Sequence, residues 1–297
     1  MVCVFQTLVN CINLVDMEKT LIVEGGGFKT SFTAGVLDGF MACDYFPFDS
    51  YMGVSGGSIA VTYYISRQYR KCLDAMRVLV NDEHFMNFRR TFGKEGYMDI
   101  DYLEKIAKKT VPIDFDKLHR YAEGKRIMFV ATNRRYGNSE YFEPSSERWI
   151  PYVIASCTLP FVTKGKYKID GKAYFDGGWS DPIPVIKAYD EGSRDILVLR
   201  TYPENIYTSQ SWSDYFGSIY FSSRPELSQT FAKSYEKYNE AIEFMQNPPA
   251  DLKIKQISPE DILQSGTYKK NEKTLLEDYR HGLDLGIQHF KSQSEEV

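Results

Sequence analysis

Short apolar runs alternate with amphipathic helical stretches along most of the chain, and two of the runs end directly in glycines that open a helix. This alternation predicts an α/β fold with a mostly parallel sheet, because parallel strands must be joined by crossovers long enough to hold a helix. Thr20–Glu24 is a buried strand ending in three glycines, and Phe32–Cys43 follows as a helix with Val36, Leu37 and Phe40 on one face. Tyr51–Val54 is a second strand, followed by helices over Ser58–Ser66 and Cys72–Val80. Arg126–Thr132 is a third strand, with Glu140–Phe142 placed to pair with it, and Trp149–Cys157 is a helix. Tyr167–Ile169 and Ala173–Phe175 flank Asp170-Gly171, a two-residue hairpin turn. Pro184–Tyr189 reads as a helix and Asp195–Leu199 as another buried strand. Beyond Thr201 a loop rich in Tyr, Ser and Trp leads to one long helix, Pro225–Met245, ended by Asn247-Pro248-Pro249. Leu252–Ile257 is a last strand and Asn271–Phe290 a last helix. The expected organisation is an arm over 1–17, a main domain over 18–200 and a helical extension over 201–297 packed on it.

Composition supports a large core: 43% of the 297 residues are hydrophobic. The net charge of -4 argues against a dedicated nucleic-acid binder. Aromatic residues reach 15%, with 22 Tyr and 19 Phe, which fits either a heavily packed core or apolar surface that meets lipid. The cysteines (Cys3, Cys11, Cys43, Cys72 and Cys157) form no CxxC pair and read as free thiols of a reducing cytosol. No run approaches the length of a membrane-spanning helix, and the start lacks a signal peptide's basic region, so Met17 reads as the more regular beginning.

Three motifs carry the chemistry. Gly53-Val54-Ser55-Gly56-Gly57 fits GxSxG between a strand and a helix. There a serine nucleophile can sit in a strained turn, at a helix N-terminus that favours developing negative charge. An ordinary structural turn explains the same residues. Gly25-Gly26-Gly27-Phe28-Lys29 follows the first strand. It is open to three readings: an oxyanion hole of backbone N–H groups, a phosphate loop, or a plain turn. Neither GxxxxGK[ST] nor a completed GxGxxG is present. Phe175-Asp176-Gly177-Gly178-Trp179 sets an aspartate after an apolar strand; by itself it is an unremarkable Asp-Gly turn.

Together, EGGGFK, GVSGG and DGG resemble the bacterial patatin-like phospholipase family, in the family's order and spacing. The resemblance covers about residues 18 to 200, and the stretch from Ile257 to Phe290 also looks like the tail of a bacterial branch. One departure is Lys29-Thr30, where the family has a basic residue followed by glycine. The resemblance implies a three-layer α/β/α sandwich, with 18–200 as its catalytic domain. It implies a Ser55–Asp176 dyad without histidine, and an oxyanion hole at Gly25, Gly26, Gly27 and Phe28. Only His281 and His289 follow the acid, in a charged helical segment where they read as solvated.

Substrate contacts are expected at Lys29, Gly56, Asn133, Pro160, Gly177 and Trp179. Lys29 is equally a rim charge, Asn133 equally a turn residue, and Pro160 structural. Phe28, Phe161, Phe175 and Trp179 are the candidates to line an acyl channel. The aromatic cluster at 85–97, interleaved with Arg89, Arg90 and Lys94, suits an anionic membrane surface but reads first as a lid or cap packed on the domain. The one at 207–221, with Trp212, Tyr215, Phe216 and Tyr220 at helical spacing, reads as core first, with the lid or mouth of an acyl channel and a membrane contact as its alternatives. The implied activity is hydrolysis of phospholipid or lysophospholipid carboxyl esters. The alternatives are a general carboxylesterase or thioesterase, and a non-catalytic lipid-binding or regulatory protein. No cofactor and no metal are expected. The expected location is cytoplasmic, with a peripheral contact at the inner membrane face and no nucleic-acid partner.

Overall fold

The fold is described from a computed structural model over residues 18–87, 97–163, 167–266 and 271–295. The arm expected over 1–17, with Cys3 and Cys11, lies outside the described residues. So do Phe88, Arg89, Arg90, Phe92 and Lys94 of the first aromatic cluster.

Among the described residues one sheet holds β1 (Lys19–Val23), β2 (Ser50–Val54), β3 (Arg126–Asn133), β4 (Ser139–Phe142), β5 (Tyr167–Ile169), β6 (Lys172–Asp176), β7 (Asp195–Leu199) and β8 (Lys253–Ile257). Their order is β5-β6-β3-β2-β1-β7-β8, with β4 paired to β3. The run β3-β2-β1-β7-β8 is parallel, and β4, β5 and β6 pair antiparallel. The β5–β6 hairpin turns at Asp170 and Gly171 with φ of 51° and 79°, the left-handed pair that a two-residue turn needs. The helices are α1 (Thr30–Ala42), α2 (Gly56–Ile65), α3 (Lys71–Asn81), α4 (Asp101–Lys105), α5 (Phe115–Ala122), α6 (Trp149–Ser156) and α7 (Val185–Asp190). Then come α8 (Trp212–Tyr220), α9 (Pro225–Ala232), α10 (Ser234–Gln246) and α11 (Glu272–Glu295).

Side chains alternate across each strand, and the alternation divides the core in two. Leu21, Val23, Tyr51, Phe129 and Leu199 face α1, α2 and α3. Ile22, Met52, Met128, Ile196 and Val198 face Val185 of α7 and Tyr238, Ile242 and Met245 of α10. The result is the expected α/β/α sandwich.

Three expectations are corrected. The long helix over Pro225–Met245 is two helices that break at Lys233 (φ −113°, ψ 12°). No glycine or proline marks the break in the sequence. His281 and His289 are not solvated positions. Their rings pack on α1, His281 at 5.3 Å from Phe32 and His289 at 5.6 Å from Phe40. The aromatic stripe over Trp212–Tyr220 is not core, because Trp212 is 86% exposed and Tyr220 61% exposed. The stripe faces out because the inward side of α8 is taken by Gly217, which lies directly against the Phe231 ring.

The pairing of α11 with α1 depends on glycine. A Cβ at Gly282 would come within 2.0 Å of the Phe32 carbonyl oxygen, and one at Gly35 within 2.1 Å of the Tyr279 oxygen. Gly39 and Gly286 repeat the arrangement one turn on, so two G-x-x-x-G stretches let the backbones touch. The Tyr279 hydroxyl donates to Asp38 at 2.8 Å across the same contact. On an exposed helix, Gly→Ala would stabilise by about 1 kcal/mol. Here the added methyl must push two backbones apart, and overpacking of that kind costs about 1–3 kcal/mol. Gly282→Ala is therefore expected to lower the urea midpoint of unfolding, whereas a raised midpoint would contradict the packing.

Candidate active site

The turn from β2 into α2 carries Ser55, whose φ of 53° and ψ of −127° lie in a region that non-glycine residues avoid. Such a backbone costs about 1–3 kcal/mol and persists only where its surroundings impose it. Glycines allow the surroundings to do so. A Cβ at Gly57 would meet the Val23 oxygen at 2.1 Å, and one at Gly53 would meet Ser58 Cα at 2.7 Å. The Ser55 N–H donates to Ser156 Oγ at 2.8 Å, and Ser58 Oγ donates to the same oxygen at 3.0 Å. The elbow is thus pinned from α6.

The glycine loop lies against that turn: a Cβ at Gly25 would sit 2.8 Å from Ser55 Cβ. Gly27–Lys29 forms a single helical turn whose first bonded N–H is that of Lys29, to the Gly26 oxygen at 3.1 Å. The N–H groups of Gly27 and Phe28 precede it and have no carbonyl of that turn to donate to, which suits an incoming oxyanion. Thr30 replaces the family's glycine without strain, since its φ of −56° and ψ of −18° are helical. Its hydroxyl packs where a side chain on Gly56 would be, 2.0 Å from that position.

Asp176 arrives through strand pairing. β4 runs along one edge of β3 from Phe129 to Thr132. On the opposite edge, β2 pairs through Val54↔Val130 and β6 continues from Ala131↔Asp176. The aspartate is therefore the next step along that edge after the residue preceding Ser55. Asp176 Oδ1 accepts from the Gly178 N–H at 2.8 Å, while Oδ2 is buried and has no hydrogen-bond partner among the described residues. Burial pushes its carboxyl up to about 6, with the Ser55 hydroxyl and the Gly178 N–H opposing the rise. Cys157 is buried beside the pair, and burial holds its thiol protonated.

Ser55, Asp176 and Gly25–Phe28 line one cavity of about 450 Å³. It crosses the carboxyl edge of the sheet, where open α/β sheets bind ligands. The lining contributed by residues 28 to 98 is apolar, with Phe28, Ile59, Met76, Leu79, Phe85 and Met98. The lining contributed by residues 202 to 235 is rich in hydroxyls, with Tyr202, Thr208, Ser209, Ser211, Ser234 and Tyr235. Gly56 and Trp179 also line it, Trp179 with its ring 4.8 Å from that of Phe231.

The remaining expected contacts lie elsewhere. Lys29 is buried behind the loop with its ammonium 3.4 Å from the centre of the Tyr202 ring. The Asn133 side chain caps its own turn, accepting from the N–H groups of Arg135 and Tyr136. Pro160 is buried outside the lining, and Gly177 packs on the Val130 carbonyl, where a Cβ would approach to 2.3 Å. Phe175 does not line the channel. It precedes Asp176 on the strand and so faces the other way, with its ring 5.7 Å from Phe221. Phe161 is also outside the lining, 43% exposed and packed edge-on against Phe216 and Tyr220 of α8. Of the 85–97 cluster, Phe85 is in the lining.

The family model described as patatin-like phospholipase matches residues 21–189. The chain belongs to the patatin-like phospholipase family. It is a family of lipid acyl hydrolases, whose members act on lipid esters. A second model, a domain of unknown function (DUF6363), matches residues 224–296. The uncharacterized protein YjjU of Escherichia coli (strain K12) is 31% identical over 267 residues, covering 88% of this chain and 74% of that protein. A crystal structure of VipD from Legionella pneumophila matches with a TM-score of 0.42 and 12% identity, covering 93% of this chain and 67% of that one.

The patatin-like region is joined to the C-terminal region by a charged pair that the sequence does not signal. Glu24, at the end of β1, meets Arg200, at the end of β7, at 3.1 Å with both side chains buried. The Thr201 N–H also donates to Glu24, and the Thr201 hydroxyl donates to the Gly25 oxygen, both at 2.7 Å. Arg200 is held in turn by Tyr238 at 2.7 Å and Gln256 at 2.8 Å. Removing one member of such a pair strands a buried charge and costs about 3–5 kcal/mol. Arg200→Met is expected to lose roughly that much in urea unfolding. Glu24→Gln/Arg200→Met should recover part of the loss, and an additive double variant would contradict the coupling.

Proposed function

We propose that this chain is a serine lipid acyl hydrolase of the phospholipase A or lysophospholipase type, working through a Ser55–Asp176 dyad. The observation that carries the reading is the buried Asp176 Oδ2, unpartnered among the described residues and beside Ser55, in one cavity lined by both apolar and hydroxyl side chains. The family supports hydrolysis of lipid esters. The acyl chain lies against Ile59, Met76, Leu79 and Met98, and the alcohol portion of the ester faces the hydroxyls.

In the acylation step Asp176 takes the Ser55 hydroxyl proton as Oγ bonds to the ester carbon. The carbonyl oxygen becomes negative and is held by the N–H groups of Gly27 and Phe28. The bond from carbon to the alcohol oxygen then breaks, and Asp176 returns the proton to the departing alcohol. In deacylation a water gives its proton to Asp176 and attacks the acyl carbon. Ser55 leaves and recovers the proton, and the fatty acid is released. A base with a pKa near 6 is ionised at neutral pH yet basic enough to share a proton with serine.

The test is hydrolysis of carboxylic esters of short and long chains by the protein and its variants. Ser55→Ala should abolish turnover, Asp176→Asn should lower it by about 10²- to 10⁴-fold, and His281→Ala should leave it unchanged. Survival of activity in Ser55→Ala would overturn the reading. Because the acting form of Asp176 is the carboxylate, kcat/KM should rise tenfold per pH unit below about 6 and level off above it. A profile flat through pH 6, or one that falls as pH rises, would contradict the assignment of Asp176 as base.

A further inference from the structure

Helix α8 is built inside out for a globular protein. Trp212, Tyr215, Phe216, Ile219 and Tyr220 recur at spacings of three and four and all face solvent, and Phe216 is 56% exposed. The only charged residue of the helix, Asp214, is turned inward, where it completes a capping box with Ser211. Phe161 joins the stripe from the other side, its ring 5.3 Å from Phe216 and 5.0 Å from Tyr220. A contiguous exposed aromatic face of this kind marks an interaction site.

Two observations say what covers it. The first is position: Ser211 and Asp214, at the start of α8, line the Ser55 cavity, so the helix that carries the face is part of the cavity wall. The second is charge. Burial lowers the Arg134 pKa, and Arg224, which like Tyr220 lies near it, adds to the lowering. Arg134 Nε is buried with no hydrogen-bond partner, and neither arginine has a carboxylate partner among the described residues. Arg134 packs over the Phe175 ring at 5.4 Å, and two cations without a carboxylate partner beside Tyr220 complement the anionic head groups and the interfacial zone of a lipid bilayer. Because the helix that carries the face also walls the cavity, a bilayer seated on it lies beside the cavity.

We propose that α8, with Phe161 and the Arg134–Arg224 pair, docks this protein on an anionic lipid surface with its cavity beside the bilayer. The proposal rests on the acyl-hydrolase reading for its purpose, so binding and turnover are measured separately. Ser55→Ala protein is mixed with vesicles of phosphatidylcholine alone or of equimolar phosphatidylcholine and phosphatidylglycerol, and binding is followed by flotation. Binding is expected on the anionic vesicles, with a blue shift of tryptophan emission that Trp212→Phe removes. Trp212→Ala/Phe216→Ser should abolish the binding. Arg134→Gln/Arg224→Gln should weaken it by roughly thirtyfold, at the strength expected of two cations near an anionic surface. Trp212 and Phe216 are exposed, so their replacement leaves the core intact.

In the Ser55 protein the same aromatic variant should keep hydrolysis of a soluble short-chain ester and lose hydrolysis of vesicle lipid. Absence of vesicle binding, or equal binding by the aromatic variant, would overturn the proposal. So would a dimer in sedimentation that these substitutions dissociate without any vesicle binding, which would make the face a contact between copies. Vesicle binding that needs α8, in a protein inactive on every ester, would sustain the docking surface and refute the acyl-hydrolase reading instead.

Discussion

Strand β3 extends past the end of its parallel neighbour β2, and the edge left free is taken by β6 running the other way. The candidate site depends on this one pairing. It sets Asp176 one step beyond Val54, at the height where the chain turns through Ser55. It also buries the carboxylate, because β4 closes the far edge of β3 and the cavity lies above. A carboxylate in that position has one oxygen held by the Gly178 N–H and the other left to the serine. Its raised pKa is a consequence of the topology, with no neighbouring acid needed to produce it.

The rest of the molecule holds that arrangement in place. A serine with φ of 53° and an ionisable group without water both cost stability, and the compensation is spread over distant parts of the chain. The Glu24–Arg200 pair ties the glycine loop to the end of β7, and Tyr238 of α10 and Gln256 of β8 hold the arginine. Helix α11 packs backbone to backbone on α1, the helix that the glycine loop opens into. The segment matched by the second family model therefore serves as a wall and a clamp for the cavity.

Much of this was legible in the sequence. The strands β1, β2, β3 and β7 end where apolar runs meet glycine or a turn, and the three glycine motifs fall at the carboxyl edge of the sheet. What was not legible depends on partners far along the chain. Nothing local distinguishes Ser156 as the acceptor for the Ser55 N–H, or Glu24 and Arg200 as a buried pair. The G-x-x-x-G stretches at Gly35 and Gly282 were a usable signal for a close helix pair, yet each alone is only a helix with two glycines. The stripe on α8 misleads for a general reason. Helical spacing of aromatic residues shows that they share a face and leaves open whether that face meets protein or another apolar phase. Phe175 and Phe161 stand next to the motifs in sequence, yet strand alternation turns Phe175 away from the channel and Phe161 lies in an exposed loop.

The central claim is that one buried carboxylate activates Ser55 without a histidine. Covalent capture by a fluorophosphonate, read by intact mass and peptide mapping across pH, tests it most directly. The account predicts a single adduct on Ser55, forming faster as pH rises through about 6 and slowed by orders of magnitude in Asp176→Asn. An adduct on another residue, or labelling of Ser55 at the same rate in Asp176→Asn, would contradict it.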